Sequence, residues 1–132
     1  MTAELSSRPN RVLLITGPAG SGKSTLAEHV AERLGWTCLS EDEYWVRNGW
    51  GSGLRSEEQE REIQRQVLLD LFDLLAGAES GRGVVLEFIL YAVPPNPLTT
   101  YSAALSPTGV GFATVVLRPA VDELLALSLI HI

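Results

Sequence analysis

The stretch LLITGPAGSGKSTL, which runs from Leu13 to Leu26, decides the predicted fold of this chain. It contains every fixed position of the pattern G-x-x-x-x-G-K-[ST], and these positions are Gly17, Gly22, Lys23 and Ser24. An apolar run of strand length, RVLLIT, precedes the glycines, and apolar residues at helical spacing follow them. The order of strand, glycine-rich loop and helix predicts a loop that binds phosphate.

The residue types in this loop suit the phosphates of a nucleotide such as ATP. Glycines and small side chains leave room for the backbone amides from Ala19 to Lys23 to curl around a β-phosphate. The next helix directs its positive end at the same charge, Lys23 can bridge the β- and γ-phosphates, and the Ser24 hydroxyl can bind Mg²⁺. A dinucleotide fingerprint is excluded because its third glycine would fall at Thr25. The predicted nucleotide contacts are Gly17, Pro18, Ala19, Gly20, Ser21, Gly22, Lys23, Ser24 and Thr25.

The bulk composition favours a single compact domain. The chain has 132 residues, of which 45% are hydrophobic, and a formal net charge of -6. An acidic chain of this kind argues against a nucleic-acid partner held by a basic surface. No segment is long and apolar enough to span a bilayer, so we expect no membrane association and a cytoplasmic location. Cys38 is the single cysteine, which excludes an internal disulfide and predicts a small core residue. Nothing in the sequence indicates the oligomeric state.

Strand and helix patterns alternate along the chain. Four short runs of apolar and β-branched residues are the predicted strands, at 11–16, 37–40, 83–90 and 111–117. Predicted helices run from the phosphate loop to Gly35, from a Ser56 cap to Gly77 or Gly81, after the prolines near 95, and from Pro119. This alternation predicts an α/β fold with a parallel sheet and right-handed crossovers.

Two segments receive more specific predictions. The buried stripe of the long helix is predicted at Ile63, Val67, Leu71 and Leu74. The segment 41–56 is predicted as a loop, because three glycines near its end alternate with other residues and aromatic side chains are interleaved. Its first residues, Glu41, Asp42 and Glu43, follow the second strand at the edge of the sheet where ligands bind in open α/β folds.

The fate of the terminal phosphate is a separate question. A guanine-specific switch protein needs an Asn-Lys-x-Asp base reader, which none of the asparagines here provides. A motor-type ATPase needs a strand that ends in Asp-Glu, whereas the third strand offers only Glu87 followed by Phe88. A phosphotransferase needs a carboxylate near the γ-phosphate and a cover that excludes water, and the acidic triplet after the second strand supplies the carboxylate.

The segments GPAGSGKST and SEDEYW together resemble the P-loop small-molecule kinases, an AAA-family-like class that includes nucleoside, shikimate and gluconate kinases, antibiotic phosphotransferases and zeta-toxin-like kinases. The resemblance covers Val12 to Leu125. It implies a P-loop NTPase fold of three α/β/α layers, with parallel strands in the order 2-3-1-4 and a fifth strand missing. It further implies an enzyme that uses ATP and Mg²⁺ to phosphorylate a hydroxyl of a small molecule.

The resemblance also implies roles for individual residues. Asp42 would orient or deprotonate the acceptor hydroxyl, with Glu41 as its main rival, and Lys23 would neutralise the transferred phosphoryl group. Ser24 and Glu87 would hold Mg²⁺, with the Ser40 hydroxyl as an alternative to Glu87. The predicted acceptor contacts are Glu41, Tyr44, Trp45, Arg47, Trp50 and Arg55. The acceptor and the role of Arg118 stay open. The alternative function is an ATP-binding regulatory or ATPase module without a small-molecule acceptor.

The end of the sequence departs from the kinase pattern. We expect a loose arm at 1–10, an incomplete kinase-like domain at 11–126 and a non-native tail at 127–132. The closing residues LSLIHI resemble the translation of a transposon-end adapter used in sequencing libraries. The arginine-bearing lid and fifth strand of the resembled kinases are not seen, so we expect slow or absent transfer and an uncovered sheet edge beside the fourth strand.

Overall fold

The computed structural model describes residues 11–18, 20–78, 81–89 and 95–118. Their centre is a sheet of four strands: β1 at Val12–Gly17, β2 at Thr37–Ser40, β3 at Val84–Ile89 and β4 at Phe112–Val116. The spatial order is β2-β3-β1-β4, and every neighbouring pair is parallel. The predicted strand order and parallel α/β sheet are therefore confirmed.

Within the described residues, four helices connect or follow the strands. They are α1 at Lys23–Leu34, α2 at Glu41–Arg47, α3 at Glu57–Gly77 and α4 at Pro97–Leu105, after which a short 3₁₀ turn spans Ser106–Thr108. Gly35 ends α1 in the left-handed conformation, as predicted from its position after the apolar repeat. Because all the strands run parallel, their carboxyl ends lie at the same edge of the sheet, and the polar residues that follow them meet there.

The prediction of a loop at 41–56 is wrong for its first half. Residues 41–47 form α2, because three acidic residues occupy its positive end and two aromatic side chains, Tyr44 and Trp45, are buried in the core. The glycines that suggested a loop start only at Gly49, two residues beyond the end of α2. The loop is therefore confined to residues 48–56.

The long helix α3 begins with a capping box. The Ser56 hydroxyl accepts a hydrogen bond from the Gln59 amide, and the Gln59 side chain accepts one from the Ser56 amide. The predicted cap at Ser56 is thus confirmed. The buried face is Ile63, Gln64, Val67, Leu71 and Leu75, whereas the predicted Leu74 is only partly buried against the same cluster.

The hydrophobic core lies on both faces of the sheet because the central strands alternate their side chains. On one face, Leu14 and Leu86 pack with residues of α2, α3 and α4. On the other face, Ile15 and Val85 pack with Ala27 and Ala31 of α1. Cys38 is half-buried against this second cluster, in agreement with its predicted place in the core. Helices on both sides of the sheet make the predicted three layers.

Some predictions fall outside the described residues: the arm at 1–10, the helix from Pro119 and the tail at 127–132. Within the described ranges, no helix is both long enough and apolar enough to cross a membrane.

The core position of α3 gives a first prediction. Leu71 is fully buried, so Leu71→Ala should lower the free energy of unfolding by about 2–5 kcal/mol through lost burial and a residual cavity. Leu69 is 57% exposed on the same helix, so Leu69→Ala should cost less than about 0.5 kcal/mol. Urea unfolding followed by circular dichroism measures both, and equal costs would contradict the assigned burial.

Candidate active site

The phosphate loop connects β1 to α1, and at two of its glycines a side chain would be strained or crowded. Gly22 is the N-cap of α1 and has φ 87°, in the left-handed region. A Cβ atom on Gly17 would lie 2.8 Å from the Leu117 carbonyl oxygen and 2.8 Å from the Ser21 hydroxyl. The Ser21 amide donates to the Pro18 carbonyl at 3.2 Å. The predicted strand–loop–helix arrangement is present, although Ala19 lies outside the described residues.

The start of α1 leaves positive charge available to an anion. Its first turn contains Lys23 and Ser24 and no acidic residue, so the helix dipole is not neutralised locally. The helix end and the loop amides thus favour a phosphate at this place. Thr25 also belongs to this first turn and is exposed.

A hydrogen-bonded cluster joins three elements around Glu87 of β3. The Ser24 hydroxyl donates to Glu87 Oε1 at 3.2 Å, and the Ser40 hydroxyl donates to the same oxygen at 2.5 Å. Glu87 is only 5% exposed, and its Oε2 atom has no hydrogen-bond partner among the described residues. A buried carboxylate oxygen without a donor is costly, so the site suits a cation.

The cluster fits a magnesium ion that is bound mainly by substrate and water. Mg²⁺ prefers oxygen ligands and is commonly held by one or two protein groups together with substrate phosphates. Ser24 and Glu87 offer such groups next to the phosphate loop. In the part of the chain that the structure describes, no set of three or more His, Cys, Asp or Glu side chains is placed to hold a metal.

A first cavity of about 150 Å³ opens beside this cluster. It gathers residues from the phosphate loop, β2, α2, the 48–56 loop and β3: Lys23, Ser24, Ser40, Glu41, Asp42, Trp45, Arg55, Glu87, Phe88 and Ile89. The predicted catalytic pair Asp42 and Lys23 and the predicted metal pair Ser24 and Glu87 therefore line one cavity.

Asp42 is the accessible carboxylate of this cavity. Its side chain is 66% exposed, and its Oδ1 atom lies 3.6 Å from Nη2 of Arg55. The Arg55 guanidinium also lies over the Trp45 ring, 4.1 Å from its centroid. An ion pair this exposed holds Asp42 only weakly, so the carboxylate stays within reach of a ligand.

Glu41, the neighbouring carboxylate, is in a very different environment. It is 2% exposed and accepts a hydrogen bond from the Tyr101 hydroxyl of α4. The pKa of Glu41 is raised to about 7: burial is the main cause and the nearby Glu60 adds to it, while interactions with Tyr101, Arg55 and Trp45 lower the pKa. Two adjacent carboxylates thus differ in exposure, which separates the accessible Asp42 from the enclosed Glu41.

The predicted aromatic contacts are placed mainly in the core. Tyr44 and Trp45 are almost fully buried, and the Tyr44 hydroxyl donates to Asp70 Oδ2 at 2.7 Å. Trp50 packs edge-to-face on Trp45, with ring centroids 6.2 Å apart. Trp45 lines the first cavity, whereas Tyr44 and Trp50 line neither this cavity nor the second one described below. The acceptor role of these two residues stays a prediction.

A second cavity of about 480 Å³ lies between α1, β2 and α2. It is lined by Ser24, Glu28, Cys38, Ser40, Asp42, Glu43, Val46, Arg47 and Glu87. Ser24, Ser40, Asp42 and Glu87 belong to both cavities, so these residues form a common wall. The predicted acceptor contact Arg47 lines this second cavity, whereas Arg55 lines the first.

The comparison with known families agrees with this geometry. Residues 12–119 match the model of a family described as an AAA domain. The chain belongs to this family. The matched range includes the phosphate loop and all four strands of the sheet, and the predicted P-loop resemblance is confirmed.

Named relatives of this AAA domain include kinases. It is 36% identical over 75 residues to the cytidylate kinase of Methylococcus capsulatus. The aligned region covers 57% of this chain and 34% of that protein. It is 37% identical over 78 residues to a probable gluconokinase of Rattus norvegicus. This aligned region covers 57% of this chain and 41% of that protein. The chain thus spans well under half the length of these relatives.

A solved structure shares the fold. The AAA domain superimposes on the APS kinase CysC (Cys556Ala mutant) of Mycobacterium tuberculosis with a TM-score of 0.61 and 22% identity. The match covers 94% of this chain and 96% of that one. At this level of identity the comparison supports the order and layering of the sheet.

The structure adds a site residue that the sequence does not reveal. Tyr101 contacts Glu41 from 60 positions away along the chain, on a short apolar helix with no distinguishing motif. Among the residues left without a firm role, Arg118 and His29 are exposed and line neither of the two cavities. His131 lies outside the described residues.

The environment of Glu41 predicts a pH dependence of stability. A carboxyl with a raised pKa stabilises the fold while protonated, so its contribution is complete below 4.5 and is lost as the pH rises through about 7. Glu41→Gln should remove this loss, which is about 3 kcal/mol. Urea unfolding at pH 5 and pH 8 measures it, with the exposed Glu58→Gln as control. Parallel pH profiles for the parent and Glu41→Gln would disprove the assignment.

Proposed function

We propose that this chain carries the phosphoryl-transfer site of an ATP-dependent kinase that phosphorylates a hydroxyl of a small molecule. The observation that carries the proposal is that Lys23, Ser24, Asp42 and Glu87 line one cavity at the carboxyl edge of the sheet. Relatives named cytidylate kinase and gluconokinase support the reaction class.

The phosphate loop binds the nucleotide in this proposal. Loop amides and the Lys23 ammonium surround the β- and γ-phosphates and neutralise the charge that gathers during transfer. Ser24 and Glu87 would hold Mg²⁺, which would supply positive charge to stabilise the transferred phosphoryl group. The unpaired Oε2 atom of Glu87 gives this carboxylate capacity for such a ligand.

Asp42 acts on the acceptor. Its exposed carboxylate accepts the hydroxyl proton as the acceptor oxygen forms a bond to the γ-phosphorus. The bond from the γ-phosphorus to the oxygen that bridges to the β-phosphate breaks, and ADP leaves with that oxygen. Glu41 is less suited to this role because it is enclosed and already accepts a hydrogen bond from Tyr101.

The role of Lys23 predicts a loss of nucleotide binding. Lys23→Met should weaken Mg-ATP binding by at least about tenfold, because the bridging cation is removed. The measurement is the rise in melting temperature that Mg-ATP causes, since a ligand stabilises only a state that binds it. Arg33→Met, an equal charge change at the far end of α1, should leave that rise unchanged. An unchanged rise in Lys23→Met would refute the loop assignment.

The role of Asp42 predicts a loss of transfer without a loss of binding. Asp42→Asn should slow phosphate transfer about 10²–10⁴-fold, because the proton acceptor is gone, and should leave the Mg-ATP melting shift intact. A panel of hydroxylated acceptors with labelled ATP measures transfer, and the exposed Asp73→Asn on α3 is the control. Full transfer in Asp42→Asn would exclude Asp42 as the base. Release of phosphate to water with every acceptor would instead favour the ATPase alternative.

A further inference from the structure

Arg55 is a cation that its neighbours hold in place at the first cavity. Its guanidinium lies over the ring of Trp45, 4.1 Å from the centroid, and Trp45 is fully buried. The carboxylates of Glu41 and Glu60 also attract it. The backbone of Arg55 directly precedes Ser56, whose capping box fixes the start of α3. A cation that is positioned in this way loses little conformational freedom when it binds an anion.

The Asp42 carboxylate beside Arg55 is held much less firmly. Asp42 Oδ1 lies 3.6 Å from Arg55 Nη2, which is longer than a hydrogen bond. The Asp42 side chain is 66% exposed, against 23% for the Arg55 side chain. Exposed ion pairs contribute little to stability because water and salt screen them. A ligand anion that forms two parallel hydrogen bonds with the guanidinium can therefore replace Asp42 at small cost.

The charges that face an acceptor in the first cavity reduce to this pair. The described lining contains five charged side chains, which are Lys23, Glu41, Asp42, Arg55 and Glu87. The proposed function assigns Lys23 to the nucleotide and Glu87 to Mg²⁺. Glu41 is enclosed and already accepts a hydrogen bond within the core. An acceptor in this cavity therefore meets one exposed carboxylate and one fixed guanidinium.

The size of the first cavity limits the length of the acceptor. Its volume of about 150 Å³ is below the range of roughly 300–1,000 Å³ that is typical of small-molecule sites. The facing atoms of Asp42 and Arg55 are only 3.6 Å apart. One molecule reaches both when its hydroxyl and its anionic group lie on neighbouring carbon atoms. A small hydroxy acid has this spacing, and its carboxylate matches the planar fork of a guanidinium.

We propose that Arg55 binds the carboxylate of the acceptor and that the substrate class is a small hydroxy acid. This inference rests on the proposed kinase function for the transfer itself. The carboxylate of the acceptor displaces Asp42 from the guanidinium, and Asp42 becomes available to accept the proton of the adjacent hydroxyl. A neutral polyol leaves the pair of Asp42 and Arg55 intact. The charge of the acceptor thus determines both its binding and the release of the base.

Isothermal titration of the 132-residue chain without nucleotide tests the inference. The probes are glycerate, glycerol and serinol, which share a three-carbon skeleton and are anionic, neutral and cationic respectively. The test variants are Arg55→Met, which removes the cation, and Arg55→Lys, which keeps the charge without the planar fork. The control is Arg61→Met, which makes the same change of charge at an exposed position of α3 that lines neither cavity.

We expect glycerate to bind at least about tenfold more tightly than glycerol or serinol. Arg55→Met should weaken glycerate binding about tenfold, Arg55→Lys should weaken it less, and Arg61→Met should match the parent chain. Equal binding of the three probes, or an equal loss in Arg61→Met, would overturn the inference. Glycerate binding that is lost in Lys23→Met and unchanged in Arg55→Met would also overturn it, because the phosphate loop would then hold the anion.

The variant Asp42→Asn tests the exchange of anions while Arg55 stays in place. The asparagine carbonyl still accepts a hydrogen bond from the hydroxyl of glycerate, but the charge that competes for the guanidinium is gone. This variant should bind glycerate up to about fivefold more tightly than the parent chain. The exposed Asp73→Asn on α3 is the control and should leave the affinity unchanged. Equal or weaker binding by Asp42→Asn would show that no exchange takes place.

Transfer of labelled phosphate separates this inference from the proposed function. If glycerate binds through Arg55 but no acceptor is phosphorylated, the kinase proposal fails and the anion-binding role of Arg55 stands. If the chain phosphorylates only neutral or cationic acceptors, the kinase proposal stands and the hydroxy-acid substrate class is wrong.

Discussion

The carboxylate of Glu87 is the constraint on which the rest of the site depends. It is buried at the carboxyl end of β3, where it accepts hydrogen bonds from Ser24 at the start of α1 and from Ser40 at the end of β2. These hydrogen bonds connect the phosphate loop with β2, the strand that precedes Asp42. Its Oε2 atom has no hydrogen-bond partner among the described residues, and the nucleotide, metal and acceptor of the proposed function would all meet at the Glu87 side chain.

Near Glu87, the fold places one carboxylate in solvent and encloses another. Asp42 and Glu41 are adjacent in sequence, yet α2 turns the first toward solvent and the second toward Tyr101 and the core. The same short helix buries Trp45, whose ring carries the Arg55 guanidinium. Residues 41–47, predicted as a loop, thus form the helix that places the two carboxylates in different environments and provides the Trp45 ring against which Arg55 packs.

Local patterns predicted the parts of the molecule whose chemistry is local. The phosphate loop follows from glycines, a lysine and a serine at fixed spacing, and the capped helix α3 follows from Ser56 and its apolar stripe. The strand order came from a family resemblance, since periodicity cannot order strands in space. The contact between Tyr101 and Glu41 could not be predicted from the sequence, because it joins residues far apart in the chain and no spacing pattern indicates it. Helix α2 was missed because the glycines after it dominate the composition of the segment.

The close packing of Gly17 has a mechanical consequence. The Leu117 carbonyl fills the space where a side chain would stand, and the Leu117 amide donates to the Thr16 carbonyl at 2.8 Å. Leu117, the residue after β4, therefore lies in direct contact with Gly17 at the start of the phosphate loop. A displacement of Leu117 would therefore shift Gly17 and, with it, the start of the phosphate loop, so the outer edge of the sheet is mechanically coupled to this loop.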